Sequence, residues 1–458
     1  MINPRFSLLL FVLVFLFPFL LFAQNATLTG RVTINMKEGL IRANLKLTGL
    51  PKLDTGFRIL LNSGMNMKFI TDTAGVVRYN SSYSDDVLKY RVHNGKNYIS
   101  LPDTLGIAYV GAFPVYADTL NFFDYKGVIA FNGKTMRASE QSKWYPVIYD
   151  SKNDREIAAF AYNITIDCED CKTIYMNGSA AQPGPVARFK SNRPFELLLF
   201  TGNYEKQEFS GSDFLNANMP SADAENFNKQ IVGIKKFYEK KLGISYPQKI
   251  TFLQHKAIEP YGPNRSWGFV TFPTIAVAGG QFNNQIDGAT GKFNHIIKYS
   301  FYAHELGHYY FGSLLSPNST LRWFFLESTA EYLSVKATAH AYSRDSTISY
   351  IKYAGTLLKD KKIIPLSKIS RAEEIDERYR YSYGALLLLA FEQRFGEMKT
   401  YRFLQTAVKS SGKRTDYTFF KTTAINSGIS EKDWIDFEEQ VIGVEDAQVL
   451  VNKLLSTR

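Results

Sequence analysis

Cysteine is nearly missing from this sequence, with two residues in 458. A fold held by a framework of disulfides is thereby excluded, and stability must come from buried apolar surface. Charge is not concentrated either. Lys and Arg, 54 in all, outnumber 43 Asp and Glu for a net charge of +11, yet no run of five or six basic residues occurs. The surplus reads as surface solubility, and no nucleic-acid partner is expected. No fixed-period repeat is present, which argues against a solenoid or propeller. What is plentiful is apolar residue, 45% of the chain, as in folded globular proteins. At about 150 residues per domain, the length suits two or three domains.

Only one stretch is long, apolar and uncharged. The 17 residues from Phe6 to Phe22 follow Arg5 and precede Ala23 and Gln24. That order predicts a signal peptide over 1–24 and an exported protein, periplasmic or extracellular. An uncleaved anchor is the competing reading, because the run approaches the length that spans a bilayer; Pro18 and Ala23 favour cleavage. No second run is long and uncharged enough to span, so no stable membrane insertion is expected after signal removal. Export decides how Cys168 and Cys171 are read. Their C-x-x-C spacing occurs in redox motifs and in halves of zinc sites, but no second pair exists to complete a zinc site. In an oxidising compartment the pair predicts a small disulfide that closes a hairpin turn between Ile164 to Ile166 and Thr173 to Met176.

Residues 25–210 read as short strands separated by turn clusters. Leu28 to Met36 alternates in polarity, comparable runs occur at Phe57 to Leu61, Val87 to Val92, Gly127 to Phe131 and Pro194 to Phe200, and Asn-Gly turns punctuate them. A β-rich N-terminal domain, sandwich or curved sheet, is expected, with no ionisable constellation of metal or nucleophile spacing. The pattern changes across Ser210 to Ala224, which sets the boundary at 210/211. Beyond it Phe227, Ile231, Ile234, Phe237, Tyr238 and Leu242 recur at spacings of mostly three and four, an amphipathic helix that Gly243 can end. Ile250 to Leu253 and Gly268 to Ala278 read as strands. Helices are predicted over roughly 293–312, 323–342, 383–395, 399–409 and 431–440. Residues 211–458 therefore predict an α+β, mostly helical domain.

The chemistry-bearing pattern is His304-Glu305-Leu306-Gly307-His308. On a helix, His304 and His308 stand one turn apart on one face, close enough for both imidazoles to bind one ion. Glu305, turned about 100° from His304, can reach the open side of that ion without being a ligand. For so short a motif the alternative is two histidines satisfied by hydrogen bonds on an ordinary helix. A catalytic metal needs a third protein ligand and a free position for water. Eighteen residues separate His308 from Glu327, and Glu331 follows four residues later on the same predicted helix. One carboxylate can bind the metal while the other accepts a hydrogen bond from a ligand imidazole. The alternative is a pair of solvated surface residues.

The pattern H-E-x-x-H, 18 residues, E resembles that of the gluzincin metallopeptidases of the membrane alanyl aminopeptidase and leukotriene A4 hydrolase type. His304-Glu-Leu-Gly-His-Tyr-Tyr-Phe-Gly312 looks like their metal helix, and Leu326-Glu-Ser-Thr-Ala-Glu-Tyr332 like their N-E-G-F-A-E-Y segment. Phe237 to Pro247 is similar to the helix and turn that open their catalytic domain, and Trp144-Tyr-Pro146 is faintly similar to a W-F-P motif of their first domain. The resemblance is specific over about 225–396. It implies a thermolysin-like catalytic domain, one zinc ion per chain held by His304, His308 and Glu327, Glu331 behind a ligand imidazole, and a peptide or protein substrate. Glu305 would take a proton from the attacking water and pass it to the leaving amine. The family's Y-x-K-G motif matches Tyr381-Ser-Tyr-Gly384, which implies an oxyanion-stabilising phenol at Tyr381, with Tyr379 and Tyr383 as competitors.

One departure concerns substrate recognition. The family's exopeptidases hold the substrate's free amine with the Glu of G-x-M-E-N, and alignment through Trp267-Gly268 puts Arg265 at that Glu and Ser266 at that Asn. An arginine repels an ammonium and suits a carboxylate. Arg265, Ser266, Trp267 and Gly268 are thus candidate substrate-binding residues. Either another acid such as Glu259 recognises the amine, or the chain is not an ordinary aminopeptidase but an endopeptidase or a peptidase for acidic substrates. The chain ends about 60 residues after Gly396, so the large helical C-terminal domain of many relatives is expected to be absent and the cleft open to long peptides. The readings from other classes are a non-catalytic binding protein on this fold and a hydrolase acting on a non-peptide substrate.

Overall fold

A computed structural model describes residues 26–84, 86–116, 124–255, 258, 267–279 and 282–456. The expected signal peptide lies outside them, as do Glu259, Arg265 and Ser266. Alternation of apolar and polar residues builds the first element. In Thr27–Asn35, Leu28, Val32 and Ile34 are buried while Arg31 and Thr33 face water. This strand pairs antiparallel with Leu40–Thr48 and parallel with Ala159–Cys168, third from one edge of an eleven-stranded sheet. From Leu40–Thr48 the sheet extends through Thr104–Ala112, Met65–Asp72, Gly75–Ser84, Val87–His93, Arg58–Asn62, Val147–Asp150 and Arg155–Ile157. Its other edge is Val186–Glu196.

A second, five-stranded sheet runs in the order Gln182–Pro183, Thr173–Met176, Leu199–Gly202, Thr135–Ala138 and Ala130–Phe131. Two expectations change here. The run from Pro194 to Phe200 is not one strand, because the chain leaves the large sheet at Glu196 and enters the small one at Leu199. Cys168 and Cys171 are bonded, but the strands they join belong to different sheets, so the disulfide closes a crossover turn and not a hairpin. The strand expected over Gly127 to Phe131 shortens to Ala130–Phe131.

A third sheet, also five-stranded, opens at Lys206–Glu208 and continues with Ser212–Leu215, Ile250–His255, Thr274–Ala278 and, at its edge, Trp267–Thr271. The single strand expected over Gly268 to Ala278 is therefore a hairpin. Pro273, which has no N–H to give a ladder, sits in its turn. The second and third sheets pack face to face through Tyr175, Leu198, Phe200, Leu253, Phe269 and Ala276. A fully buried Leu or Phe contributes about 2–3 kcal/mol relative to exposure, so this layer fixes the two halves against each other. Polar ties reinforce it. The Asn177 side chain donates to the Phe272 carbonyl at 2.7 Å and accepts from the Thr274 hydroxyl at 2.8 Å.

Helices complete the second half: α1 (Ser221–Leu242), α2 (Ile296–Gly307), α3 (Thr329–Ala341), α4 (Asp345–Leu357), α5 (Gly384–Phe395), α6 (Glu397–Lys409), α7 (Tyr417–Asn426), α8 (Glu431–Phe437) and α9 (Ala447–Ser456). The apolar stripe of α1 is buried, and Gly243 ends the helix at φ 61°, a left-handed conformation that glycine adopts without strain. The helix expected to reach residue 312 stops at Gly307, with His308 as its cap and a compact turn beyond. Helices α4, α7 and α9 were not anticipated. Phe324–Ser328 and Tyr379–Tyr383 form π-helical turns that lead directly into α3 and α5, closed by i to i+5 hydrogen bonds from Thr329 to Phe324 and from Gly384 to Tyr379. Among the described residues no helix is long and apolar enough to cross a membrane.

Candidate metal centre and active site

Helix α2 divides its faces. Tyr299, Tyr302, Ala303 and Leu306 enter the core, while Ile297, Phe301, His304, Glu305 and His308 line a cleft of about 1900 Å³ between the two halves of the molecule. Gly307 lets α2 approach α3 so closely that a β-carbon there would lie 3.1 Å from the Ala330 α-carbon. This contact brings Glu327 and Glu331 under the two histidines.

The side chains converge as a ligand set. His304 Nε2 lies 3.2 Å from Glu327 Oε2, and His308 Nε2 lies 3.4 Å from the same oxygen. Ligands about 2.0–2.1 Å from a tetrahedral zinc stand about 3.3 Å from one another, so the spacing fits such an ion. The outward ring nitrogens are occupied. Glu331 Oε2 is 2.8 Å from His304 Nδ1, and the Phe311 carbonyl is 3.3 Å from His308 Nδ1, which leaves both Nε2 atoms facing the shared point. The only other described group with metal-ligating atoms in proximity is Cys168, Asp170 and Cys171, whose sulfurs are committed to the disulfide.

Electrostatics agree with a site that expects positive charge. Burial works against a charged His304, but hydrogen bonds to Glu327 and Glu331 outweigh it and hold its pKa well above the ordinary value. Burial likewise opposes an ionised Glu327, yet hydrogen bonds from both histidines bring its carboxyl far below the usual range. Without a metal the cluster thus takes up a proton; a divalent cation meets the same demand. Glu305 behaves differently. Burial raises its proton affinity, and the charges of His304 and His308 reduce that rise. It sits beside the ligand set, 3.9 Å from His308 Nε2, as a base with enhanced affinity for a proton.

Of the three candidate tyrosines, Tyr379 and Tyr383 are buried in the core, whereas Tyr381 is 42% exposed and lines the cleft with its ring 5.7 Å from that of His304. Burial, then the charges of Glu327 and Glu305, push its phenol up, so it stays a hydrogen-bond donor at ordinary pH. The π-helical turn that carries Tyr381 is tied to the one that carries Glu327, for Ser328 Oγ donates to the Arg380 carbonyl at 2.9 Å.

Phe269, Val270 and Thr271 of the edge strand Trp267–Thr271 form another wall, whereas Gly268, a sequence candidate for substrate binding, does not line the cleft. The backbone of Trp267 pairs with Ala278, and exposed Gly268 pairs with Val277. Lys126, from the N-terminal half, donates to the Val270 carbonyl at 3.0 Å and pairs with Glu140, which accepts from the Thr271 hydroxyl. Lys126, Glu140 and Glu196, which form no constellation of metal or nucleophile spacing, also line the cleft from that half. Nothing in their local sequence marks them, since packing of the second sheet on the third brings them there. Tyr350 also lines the cleft and was missed because helix α4 was not anticipated.

No family model and no curated protein matches the sequence. Solved structures do match. An M1 zinc metallopeptidase from Deinococcus radiodurans superposes with a TM-score of 0.60 at 14% identity over 93% of this chain and 94% of that one. Native leukotriene A4 hydrolase from Saccharomyces cerevisiae gives 0.64 at 12% identity over 92% of this chain and 68% of that one. The fold is that of the M1 metallopeptidases. A mutant of the Deinococcus protein bound to a Tyr-Ser-Ala substrate matches equally, at 0.59 and 14% identity over 94% of both chains. Within this shared fold, the β-rich half and the helical half of the present chain enclose the cleft that holds His304, His308 and Glu327.

Proposed function

We propose that this protein is an exported zinc-dependent peptidase, with one zinc ion per chain, that hydrolyses peptide bonds in the cleft between its two halves. The observation that carries the reading is the convergence of His304 Nε2 and His308 Nε2 on Glu327 Oε2, at 3.2 and 3.4 Å, beside Glu305 and Tyr381. A peptide complex of a protein with the same fold supports a peptide substrate.

Zinc held by those three residues would supply Lewis acidity, polarising the substrate carbonyl and acidifying a water. Glu305, with its raised proton affinity, accepts the proton of the attacking water and delivers it to the leaving amine. The Tyr381 phenol donates a hydrogen bond to the oxyanion as the carbonyl becomes tetrahedral. Glu331 keeps the His304 ring oriented and its Nδ1 proton in place.

The altered recognition motif belongs to the same reading. Arg265 stands in sequence where an amine-binding carboxylate is expected, which favours substrates that present a carboxylate there. Incubation with a diverse peptide mixture, with and without a chelator, tests the proposal by mass spectrometry. Chelator-sensitive internal or C-terminal cuts agree with it in full; removal of single N-terminal residues would overturn the charge-reversal argument; absence of any cleavage by zinc-loaded protein would overturn the peptidase reading.

A further inference from the structure

Strand register gathers onto one face of the large sheet a set of cations that the sequence scatters. On its solvent side Lys190 lies opposite Asn163, Asn163 opposite Thr29, and Thr29 opposite Lys46. One row along, Arg188 lies opposite Thr165 and Thr165 opposite Arg31; in the next, Thr33 lies opposite Arg42. Arg42, Lys46, Arg188 and Lys190 are exposed and make no ion pair among the described residues. The one acid on these rows, Asp167, is already bound by Arg31 at 2.7 and 2.9 Å. Adjacent strands lie about 4.8 Å apart, so the two cationic flanks, on Val186–Glu196 and Leu40–Thr48, stand about 14 Å apart. Between them the floor is made of Thr29, Thr33, Asn163 and Thr165, with Arg31 at its centre and no aromatic ring. Exposed Glu38 and Glu169 follow the parallel strands that form the floor and bound the strip at that end.

We infer that this strip is a docking surface for a linear acidic polysaccharide, held by Arg42 and Lys46 on one flank and by Arg188 and Lys190 on the other. Basic residues on an outermost strand guard against edge-to-edge pairing, and that alone would account for Arg188 and Lys190. It does not account for Arg42 and Lys46, because Leu40–Thr48 is covered on both sides by Thr27–Asn35 and Thr104–Ala112. Chemistry selects the occupant. Single-stranded nucleic acid is gripped by aromatic rings on which bases stack, and the floor has none. A face that sinks into a membrane interface carries apolar groups, and the floor is polar. Sugar hydroxyls match the threonine and asparagine side chains, while carboxylate or sulfate groups on the polymer reach the flanking cations in charge-assisted hydrogen bonds. The inference goes beyond the hydrolytic reading and does not depend on it, since neither the metal cluster nor the cleft takes part.

The test measures binding of the full chain to dextran sulfate, with uncharged dextran, single-stranded DNA and phosphatidylglycerol vesicles as comparisons. The wild-type protein should prefer dextran sulfate to all three, with an affinity that falls steeply as salt rises. Changing Arg42, Lys46, Arg188 and Lys190 together to Gln should lower that affinity about 30-fold or more and make its salt dependence shallower. Either flanking pair changed alone should cost about five- to tenfold, and Asn163→Glu, which places a carboxylate in the floor, about tenfold. Changing Lys236, Lys359, Lys409 and Lys432 to Gln removes the same charge from exposed positions of the helical half and should cost less than about threefold. Melting temperatures establish that each variant is folded; should the fourfold strip variant not fold, the flanking pairs and Asn163→Glu decide. Absence of wild-type binding to dextran sulfate, or equal losses in strip and control variants, would overturn the inference. So would tighter binding to DNA or to the vesicles, which would give the strip a different occupant.

Discussion

Ser328 Oγ donates to the carbonyl of Arg380 across 2.9 Å, and each partner is the chain neighbour of a candidate site residue, Glu327 on one side and Tyr381 on the other. Two π-helical turns are thereby pinned back to back, and the relation of the Glu327 carboxylate to the Tyr381 phenol is set by backbone packing. Gly384 makes this possible, because a β-carbon there would overlap the Ser328 hydroxyl and crowd its β-carbon. Ser328 is fully buried and has nowhere to move. Gly384→Ala should therefore cost about 1–3 kcal/mol of stability and lower kcat about tenfold or more. Chemical denaturation and steady-state kinetics check both, and Gly384→Ala with Ser328→Gly should recover part of each.

Tyr381 should be the only one of three neighbouring tyrosines whose hydroxyl matters for turnover. Tyr381→Phe is expected to lower kcat about 10²- to 10³-fold with zinc content unchanged. Tyr379→Phe removes a buried hydroxyl that has no partner among the described residues, so stability should hold and kcat should change little. Parallel assays of the two variants separate the roles.

Glu331 should act on metal affinity before it acts on anything else. Its carboxylate is the partner of His304 Nδ1, and Glu331→Gln leaves the side chain in place while weakening that hydrogen bond. A loss of about 10- to 100-fold in zinc affinity is expected, measured against a chelator of known strength.

Glu196 gives the pH dependence a defined sign. Burial, then the charge of Glu140, raises its carboxyl above the ordinary 4.5, although part of the side chain stays in contact with water. Above the ordinary value the folded state binds more protons than the unfolded chain, so stability falls as pH rises from there through the raised pKa. Glu196→Gln removes this dependence. Melting temperatures from about pH 4.5 to pH 8 should decline less in the variant than in the wild type.

The cluster of His304, His308, Glu327 and Glu331 was legible in the sequence because its geometry is local. A four-residue spacing on α2 and a second one from Glu327 to Glu331 survive whatever the rest of the chain does, and the alternation of Leu28, Val32 and Ile34 likewise declares a strand. The features that escaped depend on position in space. The π-helical turns at Glu327 and Tyr381 differ from an α-helix by one residue of register and leave no compositional trace. Lys126, Glu140 and Glu196 reach the cleft only because one sheet packs on another through Phe200 and Phe269. Tyr350 sits on a helix whose apolar face was not recognised, and one residue, Pro273, turns what alternation reads as a single strand into a hairpin.

The most direct test of the central claim is Glu305→Gln, assayed for zinc content and for cleavage of a peptide mixture in parallel with the wild type. The account predicts one zinc per chain in both proteins and a loss of cleavage of at least about 100-fold in the variant. A variant that retains most of the wild-type cleavage would contradict it.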